Sequence, residues 1–172
     1  MKYLASAGVG SSTHLTAEYF NQVAGVRMIH VPFKGSPEAI TDAATGRVAY
    51  YMAPIGTAIG MAQDGRVRVL GVTSAKRVPQ LPDAPTIAEQ GLPGFEMDLW
   101  FGLWVPAHTP AAVVQKLNAD VNAVLKRADV KDQYEKLGMT PGALTSESFA
   151  KFVRTEITKY QKIVREAGIK PL

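Results

Sequence analysis

The residues best suited to chemistry lie in one short run, Ala5-Ser6-Ala7-Gly8-Val9-Gly10-Ser11-Ser12-Thr13-His14. Glycines let the backbone turn sharply and approach a ligand closely. Three consecutive hydroxyl residues follow where a helix would open, and the first N–H groups of a helix have no intrahelical partner. The helix dipole adds partial positive charge at that end, so the segment suits a carboxylate, phosphate or sulfate. Ser6, Ala7, Gly8, Gly10, Ser11, Ser12, Thr13 and His14 are therefore candidate ligand contacts. An ordinary strand–turn–helix joint capped by Ser11 or Ser12 accounts for the same residues, and the residues alone leave both open.

Other chemistries fit less well. The run is not a P-loop, because no Gly-Lys-Ser/Thr follows, and Thr13 stands where GxGxxG needs its third glycine. His30 occupies the place expected of a ribose-binding acid. A nucleophilic Ser12 with His14 as base is poor geometry, since residues two apart on a helix point in different directions, and the GxSxG elbow is absent. His14, His30 and His108 show no metal-ligand spacing. No catalytic residue, metal or cofactor is expected.

Two further turns carry candidates. In Pro32-Phe33-Lys34-Gly35-Ser36-Pro37, Ser36 is expected to cap a helix with Pro37 at its first position, and Lys34 either reaches an anion or stays solvated. The turn at Ala53 and Pro54 is the third. Ligands of open α/β sheets collect outside the carboxyl ends of the strands, so three such turns on one edge are mutually consistent.

The elements that must position these turns follow from periodicity. Strands are predicted at 3–6, 28–33, 48–52 and 66–74. Helices are predicted from Ser11–Thr13 to Gly25, from Ser36 to Gly46 and over 55–63. The first of these helices would bury Leu15, Tyr19, Phe20 and Val23. Alternating βα units of this length imply an α/β fold with a mainly parallel sheet. Beyond Ser74 the pattern changes. Thr86-Ile87-Ala88-Glu89 has capping-box spacing before a short helix stopping at Gly91. An aromatic stretch from 95 to 105, with Trp100, Phe101 and Trp104, reads as core before ligand contact. Thr109-Pro110 should open a helix carrying Val114, Leu117, Val121, Val124 and Leu125. A second amphipathic helix carries Phe149, Phe152, Val153, Ile157, Tyr160, Ile163 and Val164 and ends at Gly168. A boundary is expected between 75 and 105, dividing an α/β ligand-binding domain (1–100) from crossover and helices (101–172).

Composition sets limits. Of 172 residues 47% are hydrophobic and 20% charged, which is ordinary globular usage. The net charge is +4, but the basic residues are scattered, with Lys76-Arg77 and Lys126-Arg127 only as pairs, so nucleic acid is not an expected partner. With no cysteine, disulfides and thiolate metal sites are excluded. The longest nearly apolar run, Leu99 to Ala107, is too short to span a bilayer as a helix. Met1-Lys2 leads straight into a strand with no secretory signal, which gives the expectation of a cropped chain.

Taken in order, these segments resemble the Bug-type, or TctC-like, receptors of tripartite tricarboxylate transporters. The resemblance rests on Tyr3 to Leu15, His30-Val31-Pro32-Phe33-Lys34-Gly35, Gly46-Arg47-Val48, Gly65 to Arg77, Leu81 to Glu89, Trp100-Phe101-Gly102-Leu103 and Pro106 to Pro110. It implies a periplasmic-binding-protein-like fold of the type II, Venus-flytrap kind, of which residues to about 100 form most of the second domain. The helices after Pro110 would return to pack on a first domain missing here. It further implies a periplasmic parent protein that binds a small di- or tricarboxylate and hands it to membrane transporter subunits. Ligand-facing positions would be Ser6 to Thr13, the Lys34-Gly35 turn and the turn around Ala53-Pro54. Many relatives carry an Asp after the third strand, where this chain reads Met52-Ala53-Pro54, so an amino-acid ligand is not implied. Two alternatives stand beside this. One is the effector-binding domain of a transcription regulator, which would need a helix-turn-helix that the chain lacks. The other is a cropped, self-associating fragment without tight ligand binding, whose last two helices bury each other in a homodimer.

Overall fold

The computed structural model describes residues 2–169. It forms two compact units, one running up to Leu99 and resuming at Lys162, the other Trp100–Gln161.

The first unit is built on β1 (Tyr3–Ser6), α1 (Ser12–Val23), β2 (Ile29–Pro32), α2 (Ser36–Ala44), β3 (Tyr50–Tyr51) and α3 (Ile55–Gln63). The three strands are parallel in the order β2-β1-β3, with Leu4 opposite His30 on one side and Tyr50 on the other. A central parallel strand is covered on both faces, and Leu4, Ala5 and Ser6 are all fully buried. Successive strand residues face opposite ways. Tyr50 and Tyr51 accordingly address different layers: the Tyr50 hydroxyl donates to Asn21 Oδ1 on α1 at 2.8 Å, and the Tyr51 hydroxyl to Ser36 Oγ on α2 at 2.7 Å. On the α2 face Ala5, Ala39 and Val48 form a small core flanked by Phe33, Ala43 and Tyr51.

Helix α1 buries a different face from the one its large apolar residues suggest. Thr13, His14, Thr16, Ala17 and Asn21 are buried, while Val23 is 41% exposed. A helix lying close over a strand needs small or satisfied side chains, and Tyr50 satisfies Asn21. Tyr19 and Phe20 turn instead to the buried Phe95, with ring centroids 4.9 and 6.2 Å from it.

Several predicted elements shrink or change. The third strand retains only Tyr50–Tyr51. Residues 66–74 keep the alternation, with Val67 and Val69 half-buried and Arg66, Arg68 and Leu70 exposed, but form no strand. A strand needs a partner ladder, and here only the bridge Val72–Thr86 forms. Val72 N–H donates to Pro85 O, Ile87 N–H to Val72 O and Met97 N–H to Thr73 O, each at 2.9 Å. Ser36 does not cap α2: Gly35 holds that position, and no side chain caps the helix. The Thr86–Glu89 capping box forms reciprocally, with Thr86 N–H donating to Glu89 Oε2 at 2.6 Å and Glu89 N–H to Thr86 Oγ1 at 3.1 Å. It opens a 3-10 turn, Ala88–Gln90, closed by Gly91 at φ 103°.

In the second unit lie α4 (Ala111–Leu125), α5 (Ala128–Lys136) and most of α6 (Ser146–Glu166). The sequence pattern does not announce α5. Its mean composition is polar, and it begins where Arg127 turns extended and pairs with Asp129 at 2.7 Å. Thr109 does not cap α4; Pro110 stands there and no side chain caps the helix. The Trp100 ring packs edge-on against Phe149 and Phe152 at 6.0 and 5.2 Å. Its Nε1–H donates to Glu156 Oε2 at 3.1 Å, and Lys159 Nζ lies 2.6 Å from Glu156 Oε1. The aromatic stretch divides: Phe95 and Met97 are core, whereas Phe101, Leu103 and Trp104 are more than 60% exposed. Among the described residues no helix is long and apolar enough to cross a membrane.

Candidate functional site

The three candidate turns follow the carboxyl ends of adjacent parallel strands. The chain passes from β1 outward to β2, then crosses to β3 on the other side of β1. That reversal puts the topological switch point between the ends of β1 and β3, the usual ligand position in open α/β sheets. The β1 and β2 turns meet directly. Phe33 N–H donates to Ser6 O at 3.0 Å, and a Cβ on Gly8 would lie 3.5 Å from Phe33 O. Gly8 and Gly10 have φ of 135° and 74°, values that side-chain-bearing residues rarely adopt.

The hydroxyls of the first turn divide by role. Ser11 is the N-cap of α1: its Oγ accepts from His14 N–H at 3.3 Å and donates to Gly8 O at 2.7 Å. Thr13 Oγ1 accepts from Ala7 N–H at 2.9 Å and lies 3.0 Å from Ser11 Oγ. Ser6 Oγ accepts from Gly8 N–H at 3.1 Å and contacts His30 Nε2 at 2.6 Å. Ser6 is fully buried, so this Ser–His contact has no access to a substrate.

What the turn leaves over is distinctive. Among the described residues no partner takes the N–H groups of Val9, Ser12 and Thr13 or the Ser12 hydroxyl. These are the donors that a helix N-terminus offers an anion. The anticipated cluster of three hydroxyls therefore reduces to Ser12, with Ser11 and Thr13 spent on shaping the turn. Ser6 and His14 are buried beneath it, and the Ala7 N–H is consumed.

Lys34 is exposed at the β2 turn, where its N–H donates to Glu38 Oε2 at 3.2 Å. Gly35, Ala53 and Pro54 are half-buried, with Pro54 as the N-cap residue of α3.

Below the turn sits an arrangement the sequence does not signal. The rings of His14 and His30 stack with centroids 3.8 Å apart and an interplanar angle of 14°. Gly10 N–H donates to His14 Nδ1 at 3.1 Å. Nδ1 is then unprotonated, and the imidazole hydrogen sits on Nε2, 3.8 Å from Glu18 Oε1. Burial lowers the His14 pKa. Burial and the neighbouring His14 bring His30 down to about 4. Burial raises Glu18, against the pull of its hydrogen bond with Asn21. Burial also raises Tyr51, against hydrogen bonds with Ser36 and Thr13.

A family profile described as "Tripartite tricarboxylate transporter family receptor" matches residues 1–169. The "UPF0065 protein in tcbD-tcbE intergenic region" of Pseudomonas sp. (strain P51) is 40% identical over 163 residues, covering 94% of this chain and 48% of that protein. Among solved structures, "R. palustris Rpa4515 with adipate" is 35% identical with a TM-score of 0.87, covering 99% of this chain and 57% of that one. "MatC (Rpa3494) from Rhodopseudomonas palustris with bound malate" is 30% identical with a TM-score of 0.80, covering 95% and 56%. The chain spans about half the length of most curated relatives it matches, although it covers 94% of a relative from Pseudomonas knackmussii. The expected periplasmic-binding-protein-like α/β fold is thus the observed one, and the chain belongs to the tripartite tricarboxylate transporter family of receptors.

Proposed function

We propose that the chain is the ligand-gripping part of a solute receptor that binds a small di- or tricarboxylate. One carboxylate accepts hydrogen bonds from the N–H groups of Val9, Ser12 and Thr13 and from the Ser12 hydroxyl. The observation that carries this is the set of donors left without partners where α1 opens at the carboxyl edge of the sheet. Charge-assisted bonds of this kind are about twice as strong as neutral ones. The neighbours holding adipate and malate favour the same ligand class.

In the whole receptor, residues 1–100 supply most of one domain, and residues 101–172 supply the crossover and helices of the other. Closure of the two over the ligand excludes water and strengthens the polar contacts. The receptor works in the periplasm and passes its ligand to the membrane subunits of a tripartite tricarboxylate-type transporter. Binding, orientation and release are its whole chemistry, with Lys34, Gly35, Ala53 and Pro54 bordering the ligand.

A thermal-shift series with mono-, di- and tricarboxylates, using sulfate and phosphate as controls, tests this. Ligand at 100 times its dissociation constant adds about 2.7 kcal/mol of stability. Selective stabilisation by di- or tricarboxylates, weakened on changing Ser11, Ser12 and Thr13 together to alanine, is expected. Equal stabilisation of that triple variant and the parent chain overturns the site.

A further inference from the structure

The histidine pair lies directly beneath the turn whose amides the proposed ligand would use. His14 belongs to α1 and His30 to β2, and each is tied to the turn by one hydrogen bond. Gly10 N–H donates to His14 Nδ1, and His30 Nε2 contacts Ser6 Oγ, which in turn accepts from Gly8 N–H.

The first of these bonds tolerates only one protonation state. A backbone N–H is always a donor, so His14 Nδ1 must offer a lone pair. A proton on Nδ1 sets two donors against each other at a spacing of 3.1 Å. The stack adds a second constraint, because two rings 3.8 Å apart resist carrying two charges. The pair thus accepts one proton before it accepts another. Glu18 decides which ring takes it. Its carboxylate lies 3.8 Å from His14 Nε2 and favours a cation there.

The other groups around the pair do not compete for this role. Tyr50 on β3 is held by Asn21 on α1, and the burial that raises its pKa keeps it neutral. Tyr51 on the same strand bonds Ser36 on α2 and Thr13 at the turn, and the burial that raises its pKa keeps it neutral too. At the β2 turn Lys34 and Glu38 are exposed, and Arg27 before β2 is exposed as well.

We propose that His14 and His30 form a one-proton latch that positions the Gly8–Ser11 turn. A proton taken by His14 at Nδ1 evicts the Gly10 N–H, loosens the turn and lowers affinity for a carboxylate in acid. The affinity clause rests on the ligand reading above; the latch itself does not. His14 and His30 are positioning residues, and neither touches the ligand.

The test is a pH titration of the intact chain, from about 7.5 to about 4, followed by NMR of backbone amides and imidazole nitrogens. The Gly10 amide resonance should move with the same midpoint as His14 Nδ1, below the ordinary histidine value of about 6.5. Amides remote from the turn, such as those of Ala88 to Gln90, should stay in place over that step. In Glu18→Gln, which removes the carboxylate without crowding α1, both midpoints should fall together. In His14→Phe the Gly10 amide should lose its pH dependence. A Gly10 amide that stays still while His14 gains its proton overturns the latch. So does a shift shared by all amides, which is acid unfolding. An adipate titration of the same sample at pH 7.5 separates the two claims. Absence of binding there counts against the ligand reading, while the Gly10 titration still decides the latch.

Discussion

The amide nitrogen of Gly10 lies 3.1 Å from Nδ1 of His14, so the turn that opens α1 is propped from below by a neutral imidazole. His14 is 5% exposed, and Gly10, with φ 74°, is on the surface. His14, chosen from sequence as a candidate contact, therefore lies beneath the turn and holds its backbone. The donors left without a partner among the described residues are the backbone amides of Val9, Ser12 and Thr13.

This division separates two serines that look alike in sequence. Ser12→Ala should weaken carboxylate binding by about 1 kcal/mol, the scale of a single hydrogen bond, with little change in stability. Ser11→Ala should cost about 1 kcal/mol of stability through loss of the N-cap. Calorimetric titration and urea unfolding of both variants check the pair of outcomes. Equal effects on both properties would contradict the assignment.

The histidines make stability depend on pH with a definite sign. The folded pKa of His30 is about 4, against about 6.5 when unfolded. Between those values the unfolded chain binds more protons, so stability is full above about pH 6.5 and falls as pH drops toward about 4. Glu18, raised by burial, acts oppositely by losing stability as pH rises past its unfolded value. Urea unfolding of parent and His30→Phe chains over this range should show a shallower acid loss in the variant.

Glu156 should matter more than a surface acid. It is 6% exposed, accepts from Trp100 Nε1–H and pairs with Lys159. Glu156→Ala leaves the indole N–H without its acceptor, at a cost of about 1–3 kcal/mol. Glu156→Gln keeps an acceptor oxygen and should cost less. Unfolding followed by Trp fluorescence orders the two.

Gly71 tests the close approach that replaces the predicted fourth strand. A Cβ there would come within 2.5 Å of Gln90 Nε2 and 3.1 Å of Pro85 O. Gln90 Nε2 also donates to Leu70 O at 3.0 Å, so yielding costs a hydrogen bond. Gly71→Ala should destabilise by about 1–3 kcal/mol, the range for overpacking, as read by thermal unfolding.

Much of the frame was legible because it rests on local signals. Gly8, Gly10 and Ser11 announced the turn, and α3 runs over Ile55–Gln63 as periodicity predicts. The Thr86–Glu89 box formed between the residues its spacing names. What escaped depends on partners distant in the chain. Residues 66–74 alternate like a strand, yet their backbone finds one bridge and no ladder. His14 and His30 are 16 positions apart on different elements, and no local pattern relates them. Only the β1–β2 register and the packing of α1 bring their rings together. The partition of Ser11, Ser12 and Thr13 is likewise decided by Gly8 O and Ala7 N–H, which a string of hydroxyls does not reveal.

The central claim is that one carboxylate sits on the amides at the opening of α1. Amide chemical-shift mapping of the isotope-labelled chain during titration with adipate and with malate tests it most directly. The account predicts saturable shifts that are largest at Val9, Ser12 and Thr13, reduced in Ser12→Ala. Saturable binding whose largest shifts fall on other elements, with these three amides unmoved, would contradict it.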